Sequence, residues 1–245
     1  MPDIAAAFRD IRQSLTEQLL DLDDGAWDTP IPVRREWTVK DTLGMLAGFA
    51  EALIEGHWNE DYSDAWADKD LRLRLQERFQ EMIDLRRDRS GEEVLKEWTG
   101  LAPRMERMMS GQDAFPPGIH PFAAWTYLWA VVQNAHNIWT ALGVASKDRD
   151  SEATTLCLES AVYWLDMRLQ AKAIPALRVR TGQEEWVIGD GIPQATVTAP
   201  RFELFRALSG RRSLDQIRAF SWDGDPKPYL TVFSPFEPPL EAIIE

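Results

Sequence analysis

Cysteine is almost absent: Cys157 is the only one in 245 residues. An intrachain disulfide and a cysteine-based zinc cluster are therefore both excluded. Cys157 lies in Thr154-Thr155-Leu156-Cys157-Leu158, an apolar helical context with nothing nearby to lower a thiol pKa, so it reads as a buried, inert thiol. Histidine is scarce too, represented by His57, His120 and His136. No apolar run approaches the roughly 20 residues of a membrane span. The start, Met1-Pro2-Asp3-Ile4, lacks a basic segment followed by an apolar core, so no signal peptide is expected. Positive charge is in deficit: 27 Lys and Arg against 40 Asp and Glu leave a net charge of −13. A surface of that sign repels phosphate backbones and anionic lipid, which argues against nucleic-acid and membrane partners. A soluble cytoplasmic protein is the expectation.

Apolar material is ample, at 44% hydrophobic and 10% aromatic, so a packed core is affordable and disorder is not expected. The length suits one large or two modest domains. Apolar residues at spacings of three and four predict a helix over 3–23 (Ile4, Phe8, Ile11, Leu15, Leu19, Leu22), ended by Asp24-Gly25. Pro30 and Pro32 mark an extended connector. Thr38 and Asp41 then stand three apart ahead of an apolar run, a capping-box pattern that opens a second helix to about Gly56. Residues 59–69 read as an acidic surface loop and 70–88 as a charged helix with Leu71, Leu75, Phe79, Ile83 and Leu85 on its apolar side. Ser90 and Glu93 repeat the capping pattern. A Pro-rich loop at 111–121 precedes a long helix from Phe122 to about Leu142, with Gly143 as its cap, and Lys147-Asp148-Arg149-Asp150 is a charged connector. Another helix starts at Ser151.

These 170 or so residues hold no convincing strand, which predicts an antiparallel helical bundle. Beyond Pro175 the character changes. Residues 176–181, 185–189 and 194–198 are strand-like, Pro200–Leu208 is helical, and Ser213 with Gln216 opens a short helix. The expected architecture is mainly α: a four-helix bundle over 1–172, then a small α+β domain over 173–245.

The stretch Trp37-Thr38-Val39-Lys40-Asp41-Thr42-Leu43-Gly44-Met45-Leu46-Ala47-Gly48-Phe49 resembles a Trp-Thr-Val-Arg-Asp-x-Leu-x-His-Leu-Ala-Gly-Trp segment of the mycothiol-dependent maleylpyruvate isomerase family, part of the DinB-like group. Ala195–Leu208, Gly210-Arg211-Arg212-Ser213 and Trp222-Asp223-Gly224-Asp225-Pro226 are similar to that family's C-terminal domain. The resemblance covers nearly the whole chain. It implies a DinB-like bundle with an α+β appendage. It also implies chemistry on a small organic molecule, with mycothiol, a thiol of actinobacteria, as the co-substrate several members use.

The resemblance also locates a metal site, and this sequence departs from it. The family's His position is Met45. Aligned on Ala141-Leu142-Gly143, the His and Asp positions of a second motif are Asn134 and Asn137. A divalent site needs neutral imidazoles and a carboxylate, whereas amides and a thioether are neutral, weak donors for zinc or iron. No metal is expected. His136 does not stand in, since it lies roughly 130° around the helix from the midpoint of Asn134 and Asn137.

The expected ligand pocket is lined by Met45, Phe49, Asn134, Asn137 and Trp37, between the bundle and the C-terminal domain. Arg211 and Arg212 are the candidate catalytic cations, with pairing to surface acids as their alternative role. Three functions follow from these expectations. The first is a metal-independent isomerisation, addition or cyclisation of a small substrate, with no cofactor. The second is a mycothiol-dependent isomerase or S-transferase, and the third a non-catalytic binding protein. A monomer and a homodimer are both compatible with the sequence.

Overall fold

The helices begin where side chains satisfy their first amides. In the computed structural model, which describes every residue except 1, 2, 59, 63, 64, 66, 67, 121, 146 and 147, α1 spans Ile4–Leu20. The Asp3 carboxylate accepts from the Ala6 amide at 2.9 Å, and Phe8, Ile11, Leu15 and Leu19 form the buried stripe. The helix ends at Leu20, short of the expected residue 23. Asp24–Asp28 winds instead into a 3₁₀ turn that lays the Trp27 ring on Gly91, where a Cβ would stand 2.0 Å from the indole.

The connector around Pro30 corrects the strand-free expectation. Pro30–Ile31 (β1) and Arg34–Thr38 (β2) pair antiparallel, and the Val39 amide donates to Thr29 at 3.0 Å. Helix α2 (Val39–Glu55) then starts as the spacing predicts. Thr38 Oγ1 accepts from the Asp41 amide at 3.1 Å, Asp41 accepts from the Thr38 amide at 2.9 Å, and Gly56 closes the helix at φ +77.

Helix α2 is apolar on nearly every side, so it is buried by neighbours all round. Helices α4 (Gly91–Met109) and α5 (Ala123–Ala141) each pack against both α1 and α2, which makes these four the bundle; α3 (Lys69–Asp84) lies on α2. Ser90 and Glu93 form the second capping box, and Gly143, at φ +66, follows α5. Helix α3 buries Leu71, Met82 and Ile83, but it ends before Leu85, which leaves the apolar stripe and is 75% exposed.

The α2–α3 contact is close because of Gly48. A Cβ on Gly48 would fall 2.6 Å from Met82 Cβ and 2.9 Å from Arg86 Nη1, and Gly44 faces the Arg86 stem. Arg86 is buried there. It donates to Glu97 on α4 at 3.1 and 2.5 Å, to Glu51 on α2 at 2.7 Å and to the Met82 carbonyl at 3.0 Å.

The chain divides into two units, residues 1–148 with Glu245, and 149–244. Helix α6 (Glu152–Ala171), which falls inside the 1–172 segment of the sequence reading, therefore counts with the second unit. Its polar contacts explain this. Asp166 accepts from the Gly189 amide at 2.6 Å, and Arg168 donates to the Val232 and Phe233 carbonyls at 2.8 and 3.0 Å. Burial lowers the Arg168 pKa to about 10.

In this unit β3 (Leu177–Arg180), β4 (Glu185–Ile188) and β5 (Ala195–Thr198) match the expected strands. A further strand, β6 (Ser221–Asp223), completes a sheet of order β4-β3-β5-β6, with β3 and β5 parallel and both edge pairings antiparallel. Leu177, Val179, Ala195 and Val197 alternate inward. Helices α7 (Arg201–Leu208), α8 (Leu214–Arg218) and α9 (Lys227–Leu230) complete the unit, with α6 on α7 and Ser213 and Gln216 as the third capping box. Parts of the acidic 59–69 segment, Pro121, Lys147 and the first two residues fall outside the described residues.

Candidate functional site

Of the sequence candidates, Met45 and Phe49 lie on α2 and Asn134 and Asn137 on α5. On α2, Met45 and Phe49 are one turn apart and both are buried. On α5, Asn134 and Asn137 are about 60° apart around the axis and both are buried. Their amides are joined. Asn137 Nδ2 donates to Asn134 Oδ1 at 3.1 Å, and Asn134 Nδ2 donates to the Ala130 carbonyl at 2.8 Å. One turn on, Thr140 Oγ1 lies 2.7 Å from both the His136 carbonyl and the Glu245 carboxylate.

Phe49 belongs to an aromatic cluster. Its ring lies 4.4 Å from Trp58, 5.9 Å from Phe79 and 5.4 Å, edge-on, from Tyr127 of α5. Tyr127 ties three helices at this level: its hydroxyl accepts from Trp98 Nε1 at 3.0 Å and donates to the Leu46 carbonyl at 3.2 Å. Burial holds that phenol far above its ordinary pKa, so it stays a neutral donor. Asn134 and Asn137 bring amides to the interior of the helix packing, groups that can position a polar group by hydrogen bonds. Among the described residues, no three His, Cys, Asp or Glu side chains are grouped to hold a metal ion. His136 is buried in the interior, its ring edge-on to Trp139 at 5.2 Å.

The other sequence candidates stand elsewhere. Trp37 is on β2, with the Arg34 guanidinium 4.1 Å from its ring and its indole N–H on Gln80 of α3 at 3.3 Å. It lines a cleft of about 290 Å³ with Asp28, Lys40, Gln80 and Arg87. A second cleft, about 310 Å³, is lined by His57, Trp58, Glu60, Tyr62 and Arg78. Burial, and then the hydrogen bond with Glu60, push the Tyr62 pKa up to about 12. Neither cleft contains Met45, Asn134 or Asn137.

Arg211 and Arg212 lie in the second unit, after α7. Arg212 is buried and grips Glu203 with two nitrogens, at 2.6 and 2.9 Å, so pairing with an acid is the role the geometry realises there. Arg211 donates to the Ser209 carbonyl at 2.8 Å. Cys157 is fully buried and burial raises its thiol pKa, in line with an inert thiol. The Glu245 contact with α5 spans 105 residues of sequence, and no local pattern announces it.

The fold defines the class: a helical bundle followed by an α+β region. Residues 8–120 match the family described as mycothiol maleylpyruvate isomerase N-terminal domain. Two solved structures share the fold. One, a histidine-to-alanine mutant of the mycothiol-dependent maleylpyruvate isomerase, has a TM-score of 0.58 at 12% identity over 91% of this chain and 93% of that one. The other, described as the mycothiol-dependent maleylpyruvate isomerase, gives 0.52 at 13% identity over 86% and 90%. No curated protein matches in sequence. No helix among the described residues is long and apolar enough to cross a membrane.

Proposed function

We propose that this chain is a metal-independent member of the family that holds a small organic molecule at the Met45, Asn134 and Asn137 face of the bundle. There it acts by positioning and polar stabilisation, in an isomerisation, addition or cyclisation. The observation that carries the reading is the amide chain on α5. At two of the positions aligned with family ligands, Asn137 donates to the Asn134 side-chain oxygen and Asn134 donates to the Ala130 carbonyl of its own helix. The donor set does not fit a divalent cation. An Asn offers one neutral carbonyl oxygen, Met45 a soft thioether, and none of the three brings a negative charge to offset the ion.

What the residues do instead is hold hydrogen-bonding groups in fixed positions inside a dry bundle, where each bond to a developing charge is worth more than in water. Metal analysis of protein purified without chelator tests this. Less than a tenth of an equivalent of zinc, iron or nickel is the expected result, and a stoichiometric ion would overturn the reading.

A second reading, in which the chain uses mycothiol in isomerisation or S-transfer, is supported by the name of the matching domain family. Mycothiol as a co-substrate would then enter as an external thiol, since Cys157 is buried. A thermal-shift titration with millimolar mycothiol separates the two. A saturable rise in Tm favours the thiol reading, and a flat response counts against it.

A further inference from the structure

The cleft beside Trp37 lies between the β1–β2 ribbon and α3, at the start of α2. Asp28, which ends the 3₁₀ turn, and Glu36 of β2 stand on the ribbon side. Ile83 of α3, and Arg87 just beyond that helix, stand on the other. The Val39 amide donates to the Thr29 carbonyl at 3.0 Å, which fixes the ribbon against the helix start. Trp37 and Ile83 are buried and make the floor, whereas Asp28, Glu36 and Arg87 are exposed and make the rim.

Most of the charge in this cleft is already engaged. Glu36 faces Arg34 at 3.7 Å, Arg87 pairs with Asp84, and Asp41 accepts from the Thr38 amide at 2.9 Å. Two groups are different. The Asp28 carboxylate has no hydrogen bond or ion pair among the described residues. Lys40 likewise meets no carboxylate at ion-pair distance among them; its ammonium donates to the Arg87 carbonyl at 3.1 Å. That contact lays Lys40 along the α3 side and leaves it two further N–H groups. One cleft is thus lined by an anion and a cation that do not pair with each other. The charges complementary to them belong to a ligand that carries both signs. The floor adds apolar surface and no donor, because the Trp37 indole N–H is already given to Gln80 at 3.3 Å.

We propose that this cleft binds a small zwitterion, a free α-amino acid with an apolar side chain, its ammonium on Asp28 and its carboxylate on Lys40. At about 290 Å³ the cleft is at the small end of ligand sites, which suits a molecule of that size. The site lies wholly within the first unit and shares no residue with the Met45, Asn134 and Asn137 set.

Heteronuclear NMR of the full chain, read at the Trp37 indole N–H, tests the assignment, and Trp37→Phe identifies that resonance by removing it. L-leucine is the probe. A saturable shift with a Kd below about 1 mM is expected. Isopentylamine keeps only the ammonium and 4-methylpentanoate only the carboxylate, so each should bind about tenfold more weakly, as loss of one charged hydrogen bond predicts. Asp28→Asn and Lys40→Met, both at the surface of the cleft, should each weaken leucine about tenfold for the same reason. No saturable shift up to about 20 mM leucine overturns the site. An analogue that binds as tightly as leucine, or parent-like leucine affinity in either variant, overturns the zwitterion assignment. The comparison of the three ligands needs only the parent protein, so it stands whatever the variants do to the fold.

Discussion

Helix α2 turns two differently built polar surroundings to its neighbours. On the Gly44 and Gly48 side a full positive charge is buried: Arg86 is enclosed by Glu97, Glu51 and a carbonyl, and the bare Cα of Gly48 leaves room for its head. On the Met45 and Phe49 side stand a thioether and aromatic rings, Tyr127 of α5 among them. The same helix thus shows how this bundle accommodates a buried cation. It supplies carboxylates at hydrogen-bond distance, because an uncompensated ion in a low-dielectric interior costs several kcal/mol. Met45, Asn134 and Asn137, the residues of the proposed site, are uncharged and bring no such compensation. The contrast is the physical content of the metal-free proposal: those three residues lack the charge that would hold an ion.

The most drastic way to break the contrast is to rebuild the proposed site. Met45→His, Asn134→His and Asn137→Asp introduced together should take the protein from no bound zinc to about one equivalent per chain, measured by metal analysis after dialysis. If the triple variant folds and stays empty, the correspondence of these three positions with the family's ligands is wrong. Breaking the first side should destabilise. Arg86→Ala leaves Glu97 without its enclosed partner and is expected to cost about 3 kcal/mol in urea unfolding, the lower end for a buried pair because Glu51 is half exposed. Arg86→Met, which fills the space without a charge, should cost less.

The two glycines make a sharper pair because their signs should differ. Gly48→Ala drives a methyl into Met82 and the Arg86 head at 2.6–2.9 Å, and overpacking of that kind costs about 1–3 kcal/mol. Gly44→Ala meets only the Arg86 stem at 3.5 and 3.7 Å, an ordinary contact, and replaces a poor helix former. It should be neutral or stabilising by up to about 1 kcal/mol. Equal destabilisation by both would mean that the close approach of α3 is not what sets Gly48 apart.

Much of this was legible before the structure, and the reason is range. Thr38 with Asp41, Ser90 with Glu93 and Ser213 with Gln216 are each three residues apart, and all three form reciprocal caps. The Asn134 and Asn137 pair was legible because helical spacing alone puts them on neighbouring faces. What the sequence hid depends on partners far along the chain. Arg86 looks like one more charge in a charged segment until Glu51, 35 residues earlier, is beside it. The β1–β2 ribbon was hidden for another reason: its first strand has two residues, too few to alternate. That ribbon carries Trp37, which was expected to join Met45 because only eight positions separate them. As a strand residue ahead of the cap, it turns to Gln80 of α3 instead.

The smallest effect probes the start of α2, on which both sides depend. Thr38→Ala removes the oxygen that accepts from the Asp41 amide, while the reciprocal bond from the Thr38 amide to the Asp41 carboxylate survives. Half a capping box is lost, and about 1 kcal/mol is the expected cost, with Thr38→Ser close to parent. Asp41→Ala removes the other half and an acid from the positive end of the helix dipole, a loss of similar size. Because each bond helps to orient the other, the double variant should cost less than the sum of the two, by about 0.5 kcal/mol in a denaturation cycle. Strict additivity would show that the two bonds form independently. The cap would then steady only the first turn, and the position of Met45 in the second would rest on the packing of Phe49 and Gly48 alone.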